Sequence, residues 1–465
     1  MNLLTRLHCQ RHLKEELKFS MNKNDITEIE ITGMTDDGSG VGHADGIAVF
    51  VPYTIVGEKV RVLIIKVNKT YAIGKLLEVI LPSQHRIKSE CPYFYKCGGC
   101  QLMHMDYTAE LAYKRQKVSD CIKRIGGIDT EVGEVIPSVE RFRYRNKVQM
   151  PVTVDGIGFY RRNSHNVIDM EDCMLQSEHT REIMAAIRKW MEKYGVAPYN
   201  ETDNSGVIRH IYTRESDNGI CLVIVSTKDE LPYSNELVEC ILELNISISG
   251  ILLNVNNKKT NMILGKEYKT IWGENIIKDK IGGAEFEISP ASFYQINRQQ
   301  TQNLYSVAEK MAMLSGKETV YDIYCGIGTI GQFMAKRIKK LVGIEIVPQA
   351  VENAKKNAEL NGIDNAVYYC GAAEKLTKSL IKKEGRPDVI ILDPPRKGCD
   401  EALLTTVAEA EPDRIVYISC KPSTLARDLK FLATKGYYTK KITPVDMFPC
   451  TEHVECVVLM SRKDK

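Results

Sequence analysis

Cys420 and Glu455 have side chains suited to covalent chemistry on a pyrimidine ring. Cys420 closes an apolar run, RIVYISC, and is followed by Lys421 and by Pro422 at an expected first helical position. A helix N-terminus and a neighbouring ammonium both favour the thiolate. The sequence therefore predicts a nucleophile of lowered pKa, against the alternative of an inert cysteine buried in a strand. Glu455 interrupts a valine-rich run, HVECVVLM. A carboxyl in apolar surroundings has a raised pKa suited to proton transfer; the alternative is an exposed glutamate on an edge strand. A thiolate adding to C6 of uracil turns C5 into an enolate carbon, which can then take a methyl group. A base removes the C5 proton so that the thiol can leave.

Such a reaction needs a methyl donor. DIYCGIGTIG follows the strand-like run ETVYDIY and leads into GQFMAKRI, with Gly326 and Gly328 allowing a tight turn and close approach by a ligand. The pattern lacks the Lys-Ser/Thr of a phosphate-cradling loop. Glu345 ends the next apolar run, 17 residues after Gly328, where a carboxylate suits ribose hydroxyls; the alternative is a helix-capping carboxylate. Asp393 ends PDVIILD and is followed by Pro394 and Pro395, which stiffen the loop. A rigid Asp-Pro-Pro at a strand end fits S-adenosylmethionine chemistry better than hydride transfer.

Cys91, Cys97 and Cys100 form a C-x5-C-x2-C cluster with Gly98 and Gly99 between the last two. Three thiolates so close indicate a metal, with Cys173 of MEDCML the best fourth ligand and the mid-helix Cys121 a weaker one. Spacing alone leaves zinc and an iron–sulfur cluster open. Of the 14 cysteines, Cys221, Cys240 and Cys370 are assigned no role. RFRYRNK interleaves Arg141, Arg143, Arg145 and Lys147 with Phe142 and Tyr144, and GFYRRN adds Arg161 and Arg162. Cations that neutralise phosphates beside aromatics that stack on bases suit RNA; a solvated basic strand is the plainer reading. The target base must leave its stack to reach Cys420.

The elements that must position these residues fall into stretches. The 465 residues suggest three domains and ordinary globular composition, with 43% apolar and 26% charged residues. A net charge of +3 names no partner, no apolar run is long enough for a membrane span, and Arg6 and Arg11 interrupt any signal-peptide core. The reading is therefore a cytoplasmic protein with no membrane association and no obligate protein partner. Residues 1–22 are an extension containing a short amphipathic helix, with Met21 as a second plausible start. Residues 23–83 alternate as four or five short strands, expected to close into a small β-barrel decorated by Lys59, Arg61, Lys66, Lys69 and Lys75. Residues 84–288 are β-rich with helices at TAELAYKRQKVSDCIKRIGG and SEHTREIMAAIRKWMEKYG. Residues 289–465 alternate apolar strands with helices, predicting an α/β Rossmann-like parallel sheet with ligands at the carboxyl ends of its strands.

DIYCGIGTIG, LDPPRKG, SCKPSTLARDL and MFPCTEHVECVVL, in that order, resemble the RNA (uracil-5-)-methyltransferase family of class I methyltransferases, over roughly residues 23–465. The resemblance implies that Cys420 is the nucleophile and Glu455 the base. It implies that Gln295 of SFYQIN, Tyr324, Glu345 and Asp393 hold S-adenosylmethionine. It further implies a TRAM-like RNA-binding barrel, a [4Fe–4S] cluster on Cys91, Cys97, Cys100 and Cys173, and 23S ribosomal RNA as substrate, with transfer RNA as the alternative. One departure is Cys450, where relatives often carry a polar or imidazole side chain; it is expected to put a second thiol near the base. Rival readings fit less well. An adenine N-methyltransferase needs an aromatic residue where Arg396 follows Pro-Pro, and a cytosine-5 enzyme needs a Pro-Cys nucleophile. A non-catalytic RNA-binding assembly factor would not need each of these chemical groups.

Overall fold

The computed structural model describes residues 21–462, so the helix expected in the N-terminal extension lies outside the described residues. Two compact units are present, one reaching to Lys88 together with His104–Asp106, the other comprising Ser89–Met103 and the chain from Tyr107 onward.

The first unit is a six-stranded sheet of Ile26–Glu30, Gly33–Met34, Gly40–Ala44, Ile47–Val51, Lys59–Val67 and Tyr71–Leu81. Alternation buries Val49, Val51, Val60, Val62 and Ile64 on its inner face. A Cβ at Gly42 would lie 2.6 Å from the carbonyl oxygen of Glu30. Only glycine permits that approach, and it lets the sheet curl onto itself as the alternation predicts.

The second unit holds two seven-stranded sheets. The first is built from Lys147–Thr153, Gly156–Tyr160, Val167–Asp169, Ile208–Ser216, Gly219–Ser226, Ile248–Val255 and Glu267–Gly273. Helices Glu178–Tyr194 and Ser234–Leu242 cover it with Ile183, Ile187, Trp190, Leu237 and Ile241. Ser177 caps the longer helix by accepting from the His179 amide, and Gly195 ends it at φ 66°.

The other sheet is the expected Rossmann-like one. Its strands are β1 (Thr319–Ile323), β2 (Lys340–Glu345), β3 (Ala366–Cys370), β4 (Val389–Leu392), β5 (Arg414–Ser419), β6 (Tyr437–Val445) and β7 (Glu455–Arg462), in spatial order β3-β2-β1-β4-β5-β7-β6. β1 to β5 are parallel, and β7 lies antiparallel between β5 and β6. The continuous apolar runs form strands buried on both faces, beneath helices such as Arg298–Ala312, Pro348–Leu360 and Pro422–Thr434. Pro422 opens its helix as expected.

Helix Tyr107–Arg124 packs on helix Pro422–Thr434, and Val132 and Ile136 bridge in parallel to Ile442 and Val445 of β6. The chain then leaves for the β-rich sheet and returns to the same place. Asn297 donates to the Ser138 hydroxyl at 3.0 Å, and Gln300 donates to the carbonyls of Ile136 and Pro137 at 3.1 and 3.0 Å.

Lys114 of that helix is fully buried with two equally buried carboxylates, 2.8 Å from Glu110 and 2.7 Å from Asp446. Burial alone would lower the lysine's pKa; the two carboxylates hold it above its ordinary value. Tyr107 donates to Asp446 at 2.8 Å, and Arg141 reaches Glu110 at 3.3 Å. Removing the central cation leaves two carboxylates buried without it. Lys114→Met is expected to destabilise the second unit by about 3–5 kcal/mol, measured by urea unfolding.

Candidate active site

β1 ends at a reversal. Tyr324 has φ 70°, rare for a residue with a side chain, and its amide and that of Cys325 donate to the Ile344 carbonyl at 2.9 and 3.1 Å. Gly326 and Gly328 follow at φ 56° and 85°. A Cβ at Gly326 would meet nothing within 4 Å, so the loop faces open space. Glu345, at the end of β2, accepts from the Gly326 amide at 3.1 Å and the Val347 amide at 2.9 Å. Those bonds aim the carboxylate at the glycine loop and leave each oxygen a lone pair for a hydroxyl donor. Helix Pro348–Leu360 has no side-chain cap, so capping does not account for Glu345.

Three more carboxyls crowd the same edge. Asp393 ends β4 with its pKa pushed up to about 7 by burial and by Asp322. Asp322, on β1, is likewise pushed up to about 7 by burial. One of its oxygens accepts from the Gly331 amide at 2.9 Å, and the other has no hydrogen-bond partner among the described residues. The sequence reading passed over Asp322, although it interrupts the apolar run ETVYDIY just as Glu455 interrupts HVECVVLM. Tyr305, buried on helix Arg298–Ala312, was also missed. Its hydroxyl meets that of Thr329 at 2.8 Å, close enough to Asp393, Asp322 and Glu455 to sense their charge.

Glu455 begins β7, only 4% exposed and on an interior strand, so it is not an edge glutamate. Burial, aided by Asp393 and opposed by Arg396, pushes its pKa up to about 8. Ser419 of β5 pairs with Cys456 of β7. Cys420, the residue just after β5, continues this register toward Glu455 and senses its charge. Cys420 is half-buried at this edge. Its pKa corrects the expectation: it is pushed up to about 11 rather than lowered. Burial dominates, Glu455 and Asp393 add to it, and Arg396 opposes. Arg396 also approaches His453 at 3.4 Å, and His453 is held down to about 4 by burial and by that guanidinium. Gln295 is buried in the loop before helix Arg298–Ala312; its carbonyl accepts from Asn146 at 3.0 Å. Among the described residues no hydrogen bond joins its side chain to Tyr324, Glu345 or Asp393.

Cys91, Cys97, Cys100 and Cys173 line one cavity of about 190 Å³ with Phe94 and Met170. Arg143 fixes the Cys173 segment by pairing with Asp172 at 2.6 Å and donating to the Cys173 carbonyl at 3.0 Å. Burial raises the pKa of all four thiols. Among the described residues no three His, Cys, Asp or Glu side chains gather tightly enough to hold a single metal ion; the four sulfurs share a cavity instead. The donor set is all sulfur and comes from two chain segments, a chemistry common to zinc and iron–sulfur sites. Cys450, expected to put a second thiol near Glu455, is not beside it. It is buried against Glu110 and Arg141, with Cys100 nearby, and its amide donates to Glu110 at 2.6 Å. The amides of Gln101 and Leu102 in turn donate to its carbonyl at 3.1 and 3.0 Å.

The stretch 141–147 is less open to RNA than its composition suggests. Arg141 and Arg143 are paired internally with Glu110 and Asp172, and Tyr144 is buried with its hydroxyl donating to the Pro449 carbonyl at 3.0 Å.

With this geometry in hand, the sequence pattern of the tRNA (uracil-5-)-methyltransferase family matches residues 106–463, and that of the TRAM domain matches 22–77. The chain belongs to the tRNA (uracil-5-)-methyltransferase family. Among its relatives, an uncharacterized RNA methyltransferase of Clostridium acetobutylicum is 46% identical over 96% of this chain and 99% of its own. Another, from Halalkalibacterium halodurans, is 45% identical over 96% and 98%. Among solved structures, Pyrococcus abyssi tRNA (uracil-54, C5)-methyltransferase in complex with S-adenosyl-L-homocysteine superposes with a TM-score of 0.76 at 29% identity, covering 93% of this chain and 99% of that one. The protein is thus an S-adenosylmethionine-dependent RNA methyltransferase with a TRAM barrel. No helix among the described residues is long and apolar enough to cross a membrane.

The raised carboxyl of Glu455 has a measurable consequence. Its pKa rises from an ordinary 4.5 unfolded to about 8 folded, so between those values the folded chain keeps a proton that the unfolded chain loses. Stability from this group therefore falls as pH rises through that window. Glu455→Gln, which cannot ionise, is expected to gain several degrees in melting temperature relative to the parent between pH 5 and pH 8, read by calorimetry.

Proposed function

We propose that the protein methylates C5 of a uridine in RNA through a covalent adduct between Cys420 and C6. The observation that carries this reading is the placement of Cys420 close enough to sense the charge of Glu455, at the edge that also bears the glycine loop and Asp393. S-adenosylmethionine supplies the methyl group on a cationic sulfur. Glu345 would receive the ribose hydroxyls, Gly326 and Gly328 would let the backbone approach, and Tyr324, Asp393 and Gln295 would complete the cofactor site. The Cys420 thiol loses its proton to solvent and its sulfur bonds to C6, leaving an electron pair shared by C5 and O4. C5 takes the methyl group as the methyl–sulfur bond breaks. Glu455, as carboxylate, removes the C5 proton, and the C6–sulfur bond breaks to return the thiolate. The raised pKa of Cys420 means that the reaction gains from rising pH, and Arg396 is the cation beside the sulfur that favours its charged form.

Four thiols from two segments sharing one cavity support a [4Fe–4S] cluster on Cys91, Cys97, Cys100 and Cys173, with zinc as the alternative. The reaction transfers no electrons, so the role assigned to the cluster is structural or RNA-contacting. The functional division follows as an RNA-binding barrel over 23–83, a cluster-bearing region over 84–288 and a methyltransferase domain over 289–465, acting in the cytoplasm. The substrate proposed is 23S ribosomal RNA, on the combination of barrel and cysteine set. The Pyrococcus abyssi relative carries transfer RNA in its name, which favours transfer RNA as the second reading. A non-catalytic role in ribosome assembly is the remaining alternative.

Purified protein with S-adenosylmethionine is expected to form 5-methyluridine in unmodified 23S ribosomal RNA and not in bulk transfer RNA. Cys420→Ala abolishes it, and Glu455→Gln accumulates a denaturation-resistant protein–RNA adduct. Full activity of the alanine variant refutes the mechanism, and product in transfer RNA alone moves the substrate. Protein purified anaerobically is expected to be brown, with broad absorbance near about 400 nm. Substituting Cys173 by serine removes the colour; colourless parent protein containing zinc overturns the iron assignment.

A further inference from the structure

We propose that the cleft between the cysteine-bearing loop and the hairpin Gly156–Tyr160/Val167–Asp169 is a separate docking site for the RNA substrate, taking one unstacked nucleotide and its phosphates. The inference rests on RNA being the substrate but not on the covalent mechanism. The cleft measures about 640 Å³ and is walled by Gly98 and Gly99 on one side and by Tyr160, Arg161, Arg162 and His165 on the other. A volume of that order suits a small organic ligand, for which clefts of roughly 300–1,000 Å³ are usual.

Its walls are held in place by main-chain bonds. Gly98 donates to the Tyr160 carbonyl at 3.2 Å, and Arg162 donates to the Lys96 carbonyl at 3.3 Å. A Cβ on Gly98 would lie 3.3 Å from the Arg162 Cα, so a larger residue would crowd the seam. The hairpin tip is equally fixed. Arg161 donates to the Asn166 carbonyl at 2.9 Å, Ser164 donates to the Arg161 carbonyl at 3.0 Å, and Asn163 takes φ 56°. Arg161 is therefore displayed at the rim of a turn that does not need its side chain.

The charge is available for an anion. Arg161 and Lys96 are exposed, and neither forms an ion pair among the described residues, whereas Arg141 and Arg143 are bound to carboxylates. The rings of Tyr160 and His165 meet edge to face at 6.3 Å, offering an aromatic corner beside the cations. Cations that take phosphates next to rings that take a base are what single-stranded RNA binds. Gly99 and Phe159 line both this cleft and the cavity of the four cysteines. The same loop continues to Gln101 and Leu102, whose amides hold the Cys450 carbonyl, five residues before Glu455. A nucleotide held in the cleft is thereby set at a fixed position relative to the reacting base.

The test uses the full-length protein and a fluorescein-labelled, mixed-sequence single-stranded RNA, read by anisotropy across a salt series. Arg161→Ala is expected to raise the RNA dissociation constant roughly fivefold and to lower the salt slope by about 1. Tyr160→Leu is expected to raise it roughly fivefold with the slope unchanged. Should Tyr160→Leu melt early, His165→Ala at the exposed rim replaces it with the same expectation. S-adenosylmethionine affinity stays at the parent value in each. Unchanged RNA affinity in the variants overturns the site. So does an equal loss of heparin binding in Arg161→Ala with no effect of the ring variants, because a bare cationic patch would behave that way. Adduct formation on Cys420 at saturating RNA is scored separately, so failure of the chemistry and failure of the cleft are told apart.

Discussion

The pairing of β7 between β5 and β6 is the constraint on which the site depends. Side chains alternate along a strand, so a slip of one residue would turn Glu455 into the opposite layer and put the Cys456 thiol on the face Glu455 now occupies. Val457 and Val458 pair with Ile418 and Tyr417, and both valines are fully buried. A slipped register would exchange the faces on which these apolar groups pack. The hydrophobic core thus sets the relation of a thiol to a carboxyl that neither group could set by attraction, since both are neutral near pH 7 with pKa values pushed up to about 11 and about 8. The crowding of Asp322, Asp393 and Glu455 in one buried patch has the same origin. Burial, with Asp322 acting on Asp393 and Asp393 on Glu455, raises the cost of ionisation, so the patch favours protons that a cationic cofactor would help release.

Behind that edge, the ion group of Glu110, Lys114 and Asp446 ties the segment before β7 to helix Tyr107–Arg124, and Cys450 ties it to the cysteine loop. Fully buried charges hold their geometry because any opening strands one of them in a poor solvent. The cysteine loop is thus joined by main-chain bonds to Cys450, five residues before Glu455.

Much of this was legible in the sequence where local pattern and burial coincide. Continuous apolar runs became the parallel strands, the glycine pair became the reversal after β1, and Pro422 became the first residue of its helix. What was not legible depended on distant partners. The basic run at 141–147 reads as an RNA face until Glu110 and Asp172 are seen to bind two of its arginines. The pKa of Cys420 reads as lowered from Lys421 and the helix start, but burial, together with Glu455 and Asp393 from other strands, raises it. Cys450 reads as near the base because it is five residues away, yet a residue at φ 68° turns its thiol toward Arg141 and the cysteine loop. Asp322 differs from these: its signal was local, and the rule applied to Glu455 would have found it.

The chain's departure at Ser138 and return at Asn297, joined by a hydrogen bond of 3.0 Å, makes the intervening sheet a closed excursion from the catalytic layer. An excursion with touching ends can be lengthened, shortened or exchanged at little entropic expense to the layer it leaves, because loop closure is already met by the host. The catalytic sheet runs from β1 to β7 without contribution from that excursion. The excursion is nonetheless sealed to that layer by a shared core, in which Tyr212, Cys221, Val223 and Leu252 pack in one cluster with Val320, Leu341 and Val416.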